Sequence, residues 1–455
     1  MNTSFFGELL QTISDRGRAL IDRASRRRTA PANHSDSLVE LCEDLLSRRG
    51  EASGVALARA ILSRYAELTT GPRIAFFEAL AARFGPDRER LAAAVERWRA
   101  DPSDDAIAAL RAAAEPRRQE LLRRLNLAPG GTAALVEMRE ELIDAMAHRD
   151  DLDVVDDDFV HLFSSWFNRG FLVLRRIDWS MPAIVLEKII RYEAVHEIRG
   201  WDDLRRRIDP ADRRCYAFFH PALVDDPLIF VEVAFTREIP GAIAPILTGQ
   251  REVMEPERAT TAVFYSISNC QRGLAGVSFG HFLIKQVAEE ISREIANIST
   301  FVTLSPAPGF AAWLAQERQQ APSNILSEED RAALTHLDTQ GWWQIANLRE
   351  AVQEPLCHAA ASYFLQVRNK RGTPLDPVAR FHLGNGARLE QIDFLADASA
   401  KGMSQSYGLM VNYLYDLKNI EKNHEAYAEN RTVVASNAVR RLARGRSREL
   451  VPVTD

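Results

Sequence analysis

Residues 260–305, TTAVFYSISNCQRGLAGVSFGHFLIKQVAEEISREIANISTFVTLS, decide the fold of the second half of the chain. The run 260–268 is rich in β-branched and aromatic residues, and residues 276–295 carry apolar side chains at helical spacing. A second β-branched run, 299–305, follows directly. This order predicts a strand, a helix and a second strand, which together form a βαβ unit.

The rest of the second half alternates between the two periods. Short β-branched and aromatic runs, bounded by turn residues, predict strands at 214–221, 228–235 and 408–415. Helical spacing recurs near 309–318, 326–338 and 354–367. We therefore expect an α+β arrangement beyond about residue 175.

The first half of the chain has a helical period and no β-rich run. Ser37 and Glu40 have the spacing of a capping box, and a second helix carries Pro72 in its first turn and ends at Gly85. Further helices are expected at 87–100, 104–126 and 132–148. The sequence therefore predicts a helical domain over residues 1–172 and a second domain over 173–455.

The acidic run 150–159, DDLDVVDDDF, raises the question of a metal site. Its spacing lacks the glycine and the terminal glutamate of a calcium loop. We interpret it as a solvated turn between helices. The four cysteines are too far apart for a zinc pattern, and we expect reduced, mostly buried thiols.

The composition excludes several classes of protein. Lys and Arg number 57 against 63 Asp and Glu, so the net charge of −6 gives no drive toward nucleic acid or an anionic membrane. No stretch is long and apolar enough to span a bilayer. The first residues include Glu8, Asp15 and Asp22, which transit peptides avoid, and the terminal PVTD is no peroxisomal signal. We expect a cytoplasmic protein.

A glycine-rich turn joins the strand at 260–268 to the helix after it. Gly273, Gly276 and Gly280 would let the backbone approach a ligand closely, and the following helix N-terminus favours a phosphate. The turn lacks the Gly-Lys-Ser/Thr element of a P-loop and the GxGxxG of dinucleotide folds. A phosphate site and plain tight packing both remain open from these residues alone.

Two further residues are candidates for chemistry. Ser305 comes directly after the strand 299–304 and before a turn stiffened by two prolines, which suits either catalysis or a turn serine that bonds its own backbone. It is not the nucleophile of a GxSxG elbow. His382 precedes the turn Asn385-Gly386, and spacing alone also allows a structural role.

Taken together, these segments resemble the malonyl-CoA decarboxylase family. The resemblance runs in order through 264-FYSIS-268, 273-GLAGVSFGHFLIK-285, 304-LSPAPGF-310, 381-FHLGNGA-387 and 408-GLMVNYLY-415, and it covers essentially all of residues 175–415. It implies a helical oligomerisation domain followed by an acetyltransferase-like (GNAT-type) α/β catalytic domain that binds coenzyme A.

The resemblance also assigns residues. It implies that Ser305 and His382 are catalytic and that Ser266, Gly276 and Tyr415 bind substrate. Some relatives carry a glutamate where this chain has Ser278, so that carboxylate has no counterpart here. The expected partner is malonyl-CoA, and a homo-oligomer is expected through the helical domain.

The expected reaction converts malonyl-CoA to acetyl-CoA and CO2 through an enolate. Backbone N–H groups at the Gly276 turn would stabilise charge on the thioester oxygen, and Ser305 and His382 would hold the carboxylate and deliver the proton. This chemistry needs no metal or organic cofactor. A coenzyme-A-dependent acyltransferase and a catalytically inactive coenzyme-A-binding protein are the alternatives.

Overall fold

The structure is a computed structural model that describes residues 34–47, 50–147, 149–277, 283–320 and 322–444. It divides the chain into two compact units. The first unit comprises residues 1–172 together with the segments His220–Asp226 and Gln271–Phe279. The second comprises Val173–Phe219, Pro227–Cys270 and residues from Gly280 onward.

The first unit is built from helices. They are α1 (His34–Ser47), α2 (Glu51–Ala66), α3 (Thr70–Arg83), α4 (Arg88–Ala100), α5 (Asp104–Ala114), α6 (Arg117–Asn126), α7 (Gly131–Met146) and α8 (Asp153–Trp166). The single helix predicted over 104–126 is wrong, because it is divided at Pro116, whose ring cannot continue a helix interior. Over the part of residues 34–172 that the structure describes, the prediction of a helical first half is confirmed.

The capping box predicted at Ser37 is also wrong. Helix α1 already begins at His34, so Ser37 lies inside it, and the Ser37 hydroxyl accepts a hydrogen bond from Arg64 at 3.1 Å. The apolar residues that follow it share one buried face of the helix: Leu38, Leu41 and Leu45.

The acidic run 150–159 is not a solvated turn. Only Asp150–Leu152 forms a short 3-10 turn, and helix α8 begins at Asp153. Asp158 is buried and accepts a hydrogen bond from the buried guanidinium of Arg118. Because an ion pair compensates its burial, this carboxylate serves the packing of the helices. Among the described residues, no group of three or more His, Cys, Asp or Glu side chains is placed to hold a metal ion.

The aromatic stripe of α3 lies inside the first unit. Phe76, Phe77, Leu80 and Phe84 are all buried, so these side chains leave no apolar face for another subunit. The stripe therefore gives no support to the predicted homo-oligomer through the helical domain, which rests on the family resemblance.

We expect Phe77→Ala to destabilise the protein by about 3–5 kcal/mol, because the ring is buried and its removal leaves a cavity. Urea unfolding measures this free energy. Trp98→Ala is the control, since Trp98 is an exposed aromatic of the same unit. If Phe77→Ala instead changed only the oligomeric state and left the free energy of unfolding unchanged, the stripe would be a subunit contact.

The second unit contains an eight-stranded mixed sheet in the order β1-β2-β3-β4-β5-β8-β6, with β7 also paired to β8. The strands are β1 (Val173–Ile177), β2 (Arg213–Phe219), β3 (Pro227–Thr236), β4 (Thr261–Asn269), β5 (Thr300–Thr303), β6 (Ser305–Pro306), β7 (Arg388–Asp393) and β8 (Met410–Leu414). Sequence reasoning missed β1 and β7, because their charged side chains hide the apolar alternation of a strand.

Helices alternate with these strands along the chain. They are α9 (Ala183–Tyr192), α10 (Trp201–Ile208), α11 (Ala244–Leu247), α12 (Leu283–Glu294), α13 (Phe310–Glu317), α14 (Glu328–Leu334), α15 (Ala346–Leu365), α16 (Pro377–Gly384), α17 (Ala400–Ser406), α18 (Ile420–Asn430) and α19 (Asn437–Arg444). The helix predicted at 354–367 begins eight residues earlier, with Pro355 inside it.

The predicted βαβ unit is present. Strands β4 and β5 pair in parallel, from Thr261 opposite Thr300 to Phe264 opposite Thr303, and α12 lies between them in the chain. A helical region followed by an α/β domain with a mixed sheet confirms the predicted fold class. All four cysteines are buried thiols outside any disulfide, and no described helix is long and apolar enough to cross a membrane.

Candidate active site

The site begins where two parallel strands separate. The last hydrogen bond of the β4–β5 pair runs from the Leu304 N–H to the Phe264 carbonyl at 3.0 Å. Strand β4 continues to Asn269, but Pro306 has no N–H with which to extend the pairing. Residues Ser305 and Pro306 instead pair with β8. The strands therefore diverge and leave space between them.

That space is a cavity of about 240 Å³. Its wall comes from β4, from the residues after β5, from helix α16 and from one loop residue: Phe264, Tyr265, Ile267, Asn269, Leu304, Ser305, Pro306, Pro377, Val378, Phe381, His382 and Val195. None of these described lining residues is an acid, a lysine or an arginine. The cavity is therefore largely apolar, with a few polar groups in its wall.

A chain of hydrogen bonds links the two candidate catalytic residues. The Ser305 Oγ lies 3.0 Å from the His382 Nε2, and the His382 Nδ1 lies 2.8 Å from the Tyr415 hydroxyl. The Ser305 hydroxyl donates to the Thr303 Oγ1 at 2.9 Å. With that proton committed, we assign the imidazole proton to Nε2, so that Tyr415 donates to Nδ1.

Burial makes this chain electrically neutral. His382 is 3% exposed and Tyr415 is 1% exposed. Burial lowers the pKa of His382 to about 3 and holds the pKa of Tyr415 well above its usual range. The histidine is therefore a neutral donor and acceptor near pH 7. This differs from a Ser-His-Asp triad, in which a carboxylate stabilises an imidazolium.

Local structure fixes the histidine ring. Helix α16 begins after Asp376, whose carboxylate accepts from the Ala379 N–H at 2.8 Å as an N-cap. The helix ends at the predicted Asn385-Gly386 turn, where Gly386 has φ +81° and a Cβ would lie 2.1 Å from the Ile420 carbonyl. Both the backbone conformation and the space require glycine there.

Two residues beside this chain were missed by sequence reasoning. The Tyr413 ring stacks on His382 with centroids 4.6 Å apart, and the Tyr413 N–H donates to the Thr303 Oγ1 at 3.3 Å. These two residues are Thr303, two positions before Ser305, and Tyr413, two positions before Tyr415, and the sequence analysis singled out only the later residue of each pair. Because side chains two apart in a strand share a face, this spacing was an available signal.

The structure does not bring Ser266 into the same chain. Its hydroxyl donates to the Glu193 Oε2 at 2.6 Å, and Ser266 is not among the residues of the cavity wall. Its predicted role in binding substrate stays a prediction, as do the roles of the other site residues.

The glycine-rich turn belongs to the first unit, and its glycines differ. A Cβ on Gly273 would lie 2.0 Å from the Val136 carbonyl, so this glycine permits close packing on α7. Gly276 has φ +77° and open space where its Cβ would be. Gly280 lies outside the described residues, and so does Ser278, the position at which some relatives carry a glutamate.

Comparison with known proteins finds similarity along most of the chain. The family model of the malonyl-CoA decarboxylase C-terminal domain matches residues 170–452, and that of the N-terminal domain matches residues 84–167. A mitochondrial malonyl-CoA decarboxylase of Anser anser anser is 37% identical over 352 residues, 71% of this chain and 69% of that protein.

Solved structures agree with this assignment. A malonyl-CoA decarboxylase from Rhodopseudomonas palustris is 60% identical with a TM-score of 0.87, covering 90% of this chain and 99% of that one. One from Agrobacterium vitis is 56% identical with a TM-score of 0.86, covering 89% and 99%. These matches define an enzyme of the carboxy-lyase class. The chain belongs to the malonyl-CoA decarboxylase family.

The buried histidine predicts a pH dependence of stability. In the unfolded chain, His382 takes up a proton near its ordinary pKa of 6.5, whereas in the folded protein it stays neutral down to about pH 3. The unfolded state therefore binds more protons in this window, and the free energy of unfolding falls as the pH decreases through it.

Between about pH 7.5 and about pH 5.5, we expect the wild-type protein to lose about 1 kcal/mol more of its free energy of unfolding than His382→Gln loses. Urea unfolding at both pH values measures the difference. Equal losses in the two proteins would show that the folded protein binds a proton at His382 in this range.

Proposed function

We propose that this chain decarboxylates malonyl-CoA to acetyl-CoA and CO2 in the cavity between β4 and β5. The observation that carries the proposal is the neutral chain Tyr415–His382–Ser305 at the wall of a cavity whose described lining residues carry no formal charge. Family membership supplies the substrate.

The uncharged wall suits the departure of CO2. A malonyl carboxylate inside this cavity would leave water without meeting a lysine or arginine among the described lining residues. On binding, the Ser305 hydroxyl would turn from Thr303 to the carboxylate while the His382 Nε2–H keeps donating to Ser305, so that the pair orients the carboxylate out of the thioester plane. Breaking the bond between the carboxylate carbon and the α-carbon releases neutral CO2 and moves the electron pair into the enolate, which relieves the buried carboxylate charge.

The same residues provide a proton. The Ser305 hydroxyl passes its proton to the enolate carbon and takes one from the His382 Nε2–H, and the Tyr415 hydroxyl passes its proton to Nδ1, so that the negative charge of the enolate ends on the Tyr415 oxygen. The enolate carbon is a much stronger base than a phenolate, so a neutral acid is sufficient, and solvent returns one proton for each turnover. A neutral imidazole as electrophile has a precedent in triosephosphate isomerase. No acyl-enzyme is needed.

Charge on the thioester oxygen needs its own donors. The structure assigns no residue of the cavity wall to this role. We propose that the backbone N–H groups around Gly276, where the left-handed conformation turns the chain, contact the coenzyme A pyrophosphate, as the family resemblance implies for substrate binding by this turn. The proposed chemistry requires no metal or organic cofactor.

Two further predictions concern the protein in its cell. The goose relative is named mitochondrial, whereas the cytoplasmic location predicted here rests on N-terminal residues that lie outside the described part of the chain. A homo-oligomer remains a prediction from the family, and light scattering at micromolar concentration tests it.

We expect Ser305→Ala and His382→Gln each to lower kcat by about 100-fold or more, because each interrupts the chain that positions the carboxylate and carries the proton. Release of labelled CO2 from malonyl-CoA, without any amine acceptor, is the measurement. Ser164→Ala, an exposed serine on α8, should keep the wild-type rate.

Each outcome is informative. A wild-type chain that releases coenzyme A only when an amine acceptor is present, and forms no CO2, would be an acyltransferase. One that binds coenzyme A without turnover would be inactive. A near-normal kcat in either variant would contradict the assigned roles.

The role of Gly276 is tested against a matched glycine. Gly276→Ala and Gly130→Ala should each cost about 1 kcal/mol of stability, since both sites have φ near +75° and open space around the added methyl group. Only Gly276→Ala should weaken coenzyme A binding, measured by calorimetry. Unchanged affinity in a folded Gly276→Ala protein would remove this turn from the site.

A further inference from the structure

One wall residue of the cavity comes from a loop. Val195 lines the cavity, and it lies in the segment 194–197 between α9 and α10, which is neither helix nor strand. Such a segment has no regular backbone partners, so its shape depends on what its N–H and C=O groups bind.

One carboxylate binds two of the N–H groups of this segment. The Glu193 Oε1 accepts from the Val195 N–H and from the His196 N–H, both at 2.7 Å. The Glu193 Oε2 accepts from the Ser266 hydroxyl at 2.6 Å and from the Ser268 hydroxyl at 3.3 Å. Four donors therefore converge on Glu193.

Ser266 and Ser268 connect Glu193 to the sheet. They lie two residues apart on β4, so their side chains share a face, and their Oγ atoms are 3.3 Å apart. Ser268 also accepts from the Ala194 N–H at 3.2 Å. Both serines are 1% exposed. Strand β4, which itself lines the cavity, thus holds the loop through this carboxylate.

The carbonyl groups of the segment are bound by two cations. The Lys401 ammonium donates to the carbonyls of Ala194 and Val195, at 2.6 and 3.1 Å. These charge-assisted bonds complete the backbone pairing on both sides of the wall residue.

The second cation is Arg207, which donates to the carbonyls of His196 and Glu197 at 2.8 and 3.1 Å. Its Nη1 donates to the fully buried Glu232 at 2.8 Å. Arg207 is therefore itself anchored in the core of the second unit.

We propose that Glu193 is a positioning residue that fixes Val195 against the acyl group of the substrate, and that Ser266 acts on the substrate only through Glu193. Glu193 and Ser266 are absent from the cavity wall, whereas Val195 is part of it. The inference rests on the proposed function, because it names what the wall does for malonyl-CoA.

The expected kinetic effect follows from the chemistry of Val195. An apolar wall residue carries no proton, so loosening it weakens the fit of the substrate and leaves the proton route through Ser305 and His382 in place. Changes at Glu193 should therefore raise KM, with little change in kcat or in its pH profile.

A double-mutant cycle tests the connection between the two residues. Glu193→Gln keeps the shape of the side chain but exchanges one acceptor oxygen for a donor, and we expect KM to rise about tenfold. Ser266→Ala should raise KM about threefold, and the double variant should match Glu193→Gln alone. Glu187→Gln, an exposed glutamate on α9, is the control and should keep the wild-type constants.

If the increases in KM of the two single variants multiply in the double variant, the proposal is overturned, since Ser266 would then act on the substrate independently of Glu193. A 100-fold fall in kcat for Ser266→Ala would overturn it as well. If Glu193→Gln does not fold, Val195→Ala replaces it, because that change trims the wall and leaves every hydrogen bond of the segment in place. An unchanged KM in Val195→Ala would also overturn the proposal.

Failure of the inference is distinct from failure of the proposed function. If the wild-type chain releases no CO2, the proposed function is wrong. The cycle is then measured as the affinity for acetyl-CoA by calorimetry, with the same ratios expected. If the wild-type chain is active and the increases in KM multiply in the double variant, only the role proposed for Glu193 is wrong.

Discussion

A buried imidazole with a neutral hydrogen-bond partner on each nitrogen is the constraint on which the site depends. His382 meets the Tyr415 hydroxyl on one side and Ser305 on the other. Because neither partner is an anion, burial keeps the ring uncharged. The described residues of the cavity wall include no acid, so the carboxylate in the occupied cavity would be that of the proposed substrate. The reaction proposed for this chain removes that carboxylate, so the low polarity of the site favours the product side.

The space for this chemistry comes from the backbone. Regular pairing of β4 and β5 would fill the region beyond Phe264 with a sheet. Pro306 ends that pairing because it has no N–H, and the chain after Ser305 pairs with β8 instead. The same change of partner places Ser305 opposite Val411, two residues before the tyrosine that stacks on His382. One proline thus opens the cavity and orients the serine.

Sequence reasoning could predict what depends on local pattern. The strand and helix around residues 260–305 follow from period alone, and Ser305 and His382 stand on turns that proline and glycine mark. It failed where distant partners decide the outcome. In the acidic run, Asp158 is buried against Arg118, 40 residues away in the chain, and the hydroxyl of Ser266 meets Glu193 rather than the cavity. No local spacing contains either contact.

The protonation state of His382 tests the central claim most directly. Nitrogen NMR of ¹⁵N-histidine-labelled protein, with His382→Gln to assign the signal, reads the charge and the tautomer of the ring. We predict a neutral ring with its proton on Nε2 that does not titrate between about pH 5 and about pH 8. A His382 signal that becomes an imidazolium with a midpoint near its ordinary pKa of 6.5 would contradict the account.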